Sequence, residues 1–395
     1  MKNKAQWHKG SLEDVAEIQT GLSKSAARQG PFVRMPYLRV ANVQDGHFDL
    51  TEIKEIDVPA ESVDRFRVRE GDVLMTEGGD FDKLGRGSVW RGQNKDCVHQ
   101  NHIFVVRPHP DKLDARFLAY QTQGPHGRSY FRSCSKQSTN LASINSSQLR
   151  QFPVPLPVLA EQRKIADILT ASDEALSQLD ALTKAEERRK NALMQQLLTG
   201  RSRLKSFSKP LMTSKLGTLF KERVEQGRRD LPLLSITADR GIVNRSDVAK
   251  RDSSSEDKSK YLRIALGDIG YNTMRMWQGV SALSSLEGIV SPAYTICIPM
   301  ERIDGCFAAH FFKFRHTVHL FHRYSQGLVD DTLNLKFPSF AKIEITIPSD
   351  LEEQRQIAAI LDTADQQLTL LRTLRAALNQ QKRGLMQRLL IGPLK

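Results

Sequence analysis

The chain repeats itself. Residues 161–200 read EQRKIADILTASDEALSQLDALTKAEERRKNALMQQLLTG, and residues 353–392 read EQRQIAAILDTADQQLTLLRTLRAALNQQKRGLMQRLLIG. The segments align without a gap at a constant offset of 192, with 19 of the 40 positions identical. Self-similarity of that length means two tandem copies of one structural plan, and it governs how every other segment is read.

Both copies carry the period of a long helix. Apolar residues recur at helical spacing at Ile165, Leu169, Leu176, Leu179, Leu193 and Leu197, and again at Ile357, Leu361, Leu368, Leu371, Leu378, Leu385 and Leu389. Neither copy contains proline, and each closes on a glycine suited to a helix C-cap, Gly200 and Gly392. Forty residues make a rod of about 60 Å. A rod with one apolar stripe needs something to cover it, because local propensity alone does not hold a helix in water. The nearest cover is the other copy, so the two helices are expected to pair antiparallel. The polar run Lys184–Lys190 interrupts the first stripe; it reads as a solvated face, or else as a docking surface for another subunit.

The segments before the helices match more faintly. Phe66-Arg67-Val68 with Gly71-Asp72-Val73 parallels Leu262-Arg263-Ile264 with Gly267-Asp268-Ile269. Pro36-Tyr37-Leu38 with Gly46 parallels Pro232-Leu233-Leu234 with Gly241. The series Leu149, Phe152, Val154, Leu156 parallels Phe340, Ile343, Ile345, Ile347, and its near-alternation reads as a strand entering each helix. The expected fold class is α+β: two tandem strand-rich halves, residues 1–157 and 205–348, each followed by a long helix, residues 158–204 and 349–395. The link Arg201–Lys215 is rich in Ser, Lys and Arg. The halves differ where Glu77–Gly87 (EGGDFDKLGRG) in the first corresponds to Tyr271–Gly279 (YNTMRMWQG) in the second. One scaffold with unlike loops suggests two readers of two different things.

The charge suits such readers of nucleic acid. The 395 residues carry 58 Lys+Arg against 45 Asp+Glu, a net charge of +13. The excess is spread over both halves and both helical segments, as expected of a protein that touches nucleic acid through several separate surfaces. No apolar run is long enough to span a membrane, and MKNKAQWHKG has no apolar core like that of a secretory signal. Cys97, Cys134, Cys297 and Cys306 form no CxxC pair, which leaves no common zinc-knuckle spacing and no disulfide framework. A cytoplasmic location is expected.

Catalytic motifs do not assemble. There is no GxxxxGK[ST] loop. The Gly78–Gly87 loop lacks the GxGxxG pattern; it is either a surface turn or a loop through which backbone, Lys83 and Arg86 approach DNA. Ser291-Pro292-Ala293-Tyr294 resembles the active-site tetrapeptide of adenine methyltransferases, but Ala293 stands where that chemistry uses a second proline, and no glycine-rich S-adenosylmethionine loop accompanies it. His316, His319 and His322, with His310 upstream, could share a face and bind a metal. Interleaved Phe311, Phe312, Phe314 and Phe321 favour an amphipathic core helix instead, and no metal site is expected. Asp45 with Glu52-Ile53-Lys54 is a forced match to a nuclease pattern. What remains is recognition chemistry: Arg and Lys reach guanine edges, Asn and Gln reach adenine, and apolar groups meet the thymine methyl. The candidate DNA-binding residues are Lys83, Arg86, Lys136, Gln137, Thr139 and Asn140 in the first half and Asn272, Met274, Arg275, Trp277 and Gln278 in the second.

These features resemble the specificity subunit of Type I DNA restriction–modification enzymes, over the whole chain. The resemblance rests on the paired segments Pro157–Leu169 and Pro348–Leu361, each with EQR-x-I-A-x-I-L and continuing to LMQ-x-LL-x-G, and on the EGGDFDKLGRG and GDIGYNTMRMWQGVS runs. It implies that residues 1–157 and 205–348 are target recognition domains, each reading one half of a bipartite, asymmetric site in double-stranded DNA. It implies that the two helices form an antiparallel coiled coil with pseudo-twofold symmetry that fixes the half-site spacing. Two methyltransferase (modification) subunits would dock on that scaffold and use S-adenosylmethionine, and restriction/translocase subunits using ATP and Mg would join them. The chain itself would be non-catalytic and bind no cofactor. The alternatives are an orphan or scaffold-type DNA-binding coiled-coil protein and a self-contained adenine methyltransferase.

Overall fold

The computed structural model describes residues 7–23, 31–79, 84–94, 96–137, 142–228, 230–248, 257–329 and 332–391. The chain divides into two compact units, residues 1–180 with 374–395, and residues 181–373. Each unit therefore takes in a stretch of both long helices.

The first half contains α1 (Val63–Phe66), α2 (Ala115–Gln123), α3 (Pro125–Cys134), α4 (Ser146–Arg150) and the long α5 (Leu159–Leu198). Its central antiparallel sheet has the strand order Ala16–Thr20, Ile103–Pro108, Val73–Thr76, Gly87–Val89. The strands are apolar on both faces, because both are covered. Val73, Met75, Phe104 and Val106 face a core with Phe117, Phe131 and Phe152, whereas Leu74, Ile103 and Val105 face a smaller core around Trp90 and Leu38. Period two along each strand sorts the side chains between the two layers.

The second half contains α6 (Gly305–Lys313), α7 (Arg315–Tyr324), α8 (Phe337–Phe340) and the long α9 (Leu351–Leu389). Its sheet repeats the plan, in the order Phe220–Glu222, Tyr294–Pro299, Ile269–Asn272, Ser281–Leu283. Ile269, Tyr271 and Cys297 face a phenylalanine-rich core with Phe307, Phe312 and Phe340; Ile296 and Ala282 face the opposite layer. Leu149 lies in α4 and Phe340 in α8, so the expected alternation is a helical turn followed by a shorter strand, Pro153–Leu156 or Glu344–Pro348. Asn145 sets the first of these turns by capping it, its Oδ1 accepting from the Gln148 amide at 2.8 Å. Each strand pairs antiparallel with the strand that opens its half, His8–Ser11 or Leu211–Lys215.

The glutamine shared by the two EQR motifs joins helix to sheet domain. Gln162 is buried; its Oε1 accepts from the Asp114 amide at 2.9 Å, and its Nε2 donates to the carbonyls of Lys112 and Pro157. Gln354 does the same with the Asp304 amide and the carbonyls of Arg302 and Pro348. Asp114 and Asp304 are in turn the N-caps of α2 and α6.

The long helices run antiparallel. In the first unit Asp173 pairs with Lys382 and Asp180 with Arg375; in the second Glu187 pairs with Arg372 at 2.9 Å and Lys190 with Asp365. One number rises as the other falls. The polar run Lys184–Lys190 thus engages α9 through Glu187 and Lys190. Just past the end of α5, Gly200, with φ +67° and its N–H bonded to Leu197 O, forms a C-terminal cap; Gly392 lies outside the described residues. Among the described residues, no helix is long and apolar enough to cross a membrane.

Candidate nucleic-acid interface

The two candidate loops leave equivalent positions of the two four-stranded sheets. In each half the loop joins the third strand in the sheet order to the fourth, Val73–Thr76 to Gly87–Val89 and Ile269–Asn272 to Ser281–Leu283.

In the first half the sheet plan brings two candidate segments together. Gly78–Gly79 pairs with Ala142–Ser143, which pairs with Lys136–Gln137. The backbone at Lys136 and Gln137 is therefore two strands from the start of the glycine-rich loop. Lys83, Thr139 and Asn140 lie outside the described residues. Arg86 is half-buried, and its carbonyl accepts from the Thr76 amide at 3.0 Å. Two of the glycines answer to packing rather than to a phosphate. Gly85 has φ +65°, and a Cβ there would come 2.7 Å from the Phe131 ring; at Gly87 a Cβ would collide with the Leu74 carbonyl.

In the second half the loop is held from within. Asn272 Oδ1 accepts from the Met274 amide and Trp277 Nε1 donates to the Met274 carbonyl, both at 3.0 Å. Met276 is buried beneath, while Arg275 and Gln278 are exposed and Met274 is 48% exposed. The loop is also pinned from outside: the Thr273 amide donates to Ala293 O, and the Leu335 amide donates to Thr273 O. Ser291–Tyr294 is thus a turn that feeds a strand and anchors this loop, with Tyr294 N bonded to Ser291 O.

The rejected chemistries are occupied otherwise. His310 is buried on α6 with Nε2 2.8 Å from Asp362 Oδ1, whereas His316, His319 and His322 are exposed on α7 rather than part of its core face. No group of metal-ligating side chains occurs among the described residues. Asp45 is ion-paired with Arg128, and Lys54 lies 3.7 Å from Glu52. Burial pushes the Cys97 thiol up to about 12 and Cys297 well above its ordinary value, so neither offers a thiolate. The matched Gly-Asp pairs are structural. Asp72 and Asp268 are buried, each accepts from the amide three residues earlier, and each is bound bidentately by an arginine, Arg107 and Arg223.

The helix positions divide by depth. Ile165, Leu169, Leu179, Leu197, Ile357, Leu361 and Leu368 are buried; Leu176, Leu193, Leu371, Leu378, Leu385 and Leu389 are half-buried. Ile165 and Leu169 share the first core with Leu390, with Leu385 and Leu389 packed against it, while Leu197 and Leu198 share the second with Ile357 and Leu361. Sheet domains cover the stripes at their ends. Nearer the middle Leu182 and Leu374 are 48% and 56% exposed.

Comparison with known proteins agrees with this architecture. Residues 4–193 and 301–380 match the family described as the Type I restriction modification DNA specificity domain. The putative type I restriction enzyme MjaX specificity subunit of Methanocaldococcus jannaschii is 24% identical over 420 residues, spanning 98% of this chain and 94% of that protein. The type I restriction enzyme EcoKI specificity subunit of Escherichia coli (strain K12) is 24% identical over 172 residues, 43% of this chain and 36% of its own. The crystal structure of a Type-I restriction-modification system S subunit from M. genitalium superposes with a TM-score of 0.59 at 15% identity, covering 100% of this chain and 98% of that one, a likeness of fold. A duplicated sheet domain, a pair of antiparallel helices and a family match over most of the sequence lead to one conclusion: the chain belongs to the Type I restriction–modification DNA specificity family.

Proposed function

We propose that this chain recognises a bipartite, asymmetric site in double-stranded DNA for a Type I restriction–modification enzyme, one half-site per sheet domain, and performs no catalysis itself. The observation that carries the reading is the same four-strand order built twice, with unlike loops leaving the same position. In this reading residues 1–157 and 205–348 are the target recognition domains, and residues 158–204 and 349–395 are the scaffold. Arg86, with Lys83 and the Lys136–Asn140 segment, serves one half-site; Asn272, Met274, Arg275, Trp277 and Gln278 serve the other. Two modification subunits supply adenine methylation with S-adenosylmethionine, and restriction subunits supply ATP- and Mg-dependent steps, in the cytoplasm.

The test is to express the chain with its modification subunits and sequence N6-methyladenine across the host genome. A two-part asymmetric motif, absent when either component is omitted, is the expected result. Methylation by the purified chain alone would overturn the reading.

A further inference from the structure

α7 carries an unusual face. Arg315, His316, His319, His322 and Arg323 are all exposed, and at 100° per residue they fall within a stripe about 120° wide. Thr317 and Phe321 are buried on the opposite side. No acidic residue occurs in α7. Several arginines elsewhere in this unit are neutralised: Arg203 by Glu353, Arg223 by Asp268, Arg228 by Asp230, Arg263 by Glu225 and Glu287. Arg315 and Arg323 have no ion pair among the described residues.

The stripe is continuous with the candidate reading loop. The Trp277 ring meets His322 edge-on at 5.9 Å between centroids, and a Cβ at Gly279 would lie 3.1 Å from Val318 of α7. α3, the matching helix of the first half, is different. Its Arg128 is ion-paired with Asp45, and His126 Nε2 is hydrogen-bonded to Pro153 O, which leaves Arg132 as the cation of this helix without a carboxylate among the described residues.

We propose that the outer face of α7 runs along the phosphates beside the second half-site, with Arg315 and Arg323 as charge contacts and the histidines as hydrogen-bond donors. Two arginines with no ion pair among the described residues, on a face that flanks a loop offering Arg, Gln, Met and Trp, match the division of labour at DNA interfaces. Phosphate contacts set position, and base-edge contacts set sequence. The proposal rests on the reading of the chain as a DNA-specificity subunit. It adds a set of phosphate contacts beside the loop that reads the second half-site.

The test uses the complex of the full chain with its modification subunits, on a duplex bearing the mapped motif and on a random duplex of equal length. Arg315→Gln with Arg323→Gln should reduce the slope of log affinity against log salt by about 1.8, because each lost phosphate contact removes roughly 0.9. The loss should be equal on both duplexes, the methylated motif should stay the same, and Arg→Lys at both positions should restore the slope. An unchanged slope, or a changed motif, would overturn the proposal. No preference for the motif by the unaltered complex would instead sink the underlying reading. An unchanged thermal midpoint identifies the variant as folded; if it is lowered, Arg323→Gln alone carries the test, with half the slope change expected.

Discussion

Arg203 forks onto Glu353: its Nε and Nη2 lie 2.7 and 2.6 Å from the two carboxylate oxygens, and Glu353 is fully buried. Glu161 occupies the same place in the first EQR motif and is exposed. Removing one partner of a buried pair leaves the other charge uncompensated. Arg203→Ala should therefore cost about 3–5 kcal/mol, whereas Glu161→Ala should stay within about 0.5 kcal/mol of the parent. Urea unfolding of the two variants checks this; equal midpoints would contradict it.

His99 is fully buried, and neither ring nitrogen has a hydrogen-bond partner among the described residues. Burial, and then the Arg107 charge, hold its pKa down to about 3. In the unfolded chain a histidine takes up its proton near pH 6.5. Between these values the unfolded state binds the extra proton, so stability is level above about pH 6.5 and falls as the pH drops below it. By pH 5 this one group should remove about 2 kcal/mol. His99→Leu should be neutral or stabilising at pH 7, since no bond is lost, and should erase that share of acid sensitivity. Parallel stability curves for parent and variant between pH 7 and 5 would refute the assignment.

The two reading loops should act separately. Arg86→Ala should weaken or relax one half of the methylated motif and Arg275→Ala only the other, each by about 1–3 kcal/mol if the contact is bidentate to a base. Motif mapping with each variant reads this directly. Uniform weakening on all DNA would assign the residue to phosphate instead.

Much of this was legible in the sequence because repetition and periodicity survive divergence. The helices expected at 161–200 and 353–392 occur at Leu159–Leu198 and Leu351–Leu389, and the antiparallel pairing follows from their stripes. What covers the stripes was not legible: Leu197 and Leu389 read alike as seam residues, yet Leu197 also packs against the sheet domain that follows it, and Leu389 against the first sheet domain, far away in sequence. The asymmetry of Glu161 and Glu353 was hidden because the partner, Arg203, stands in the diverged link. Asp72 and Asp268 were visible as a matched pair. Their arginines were not, because Arg107 comes from the strand Ile103–Pro108 and Arg223 follows the strand Phe220–Glu222, which are not equivalent positions. Gly85 and Gly87 stand in a segment that reads as a surface turn or an approach to DNA, and contacts with Phe131 and Leu74 explain them. The histidines of α7 suggested a core face because phenylalanines interleave them; Phe321 and Thr317 take the inner side and turn the histidines outward.

The helices as a ruler give the most direct test. One matched heptad inserted near Leu182 and another near Leu374 would preserve the seam phase and lengthen each helix by about 10 Å. Both positions are exposed and lie next to the points where each helix passes from one compact unit to the other. At about 3.4 Å per base pair the added length equals about three base pairs. Mapping N6-methyladenine in a host carrying this variant should return the same two half-sites with a gap widened by up to about three base pairs. An unchanged gap at full activity would contradict the account.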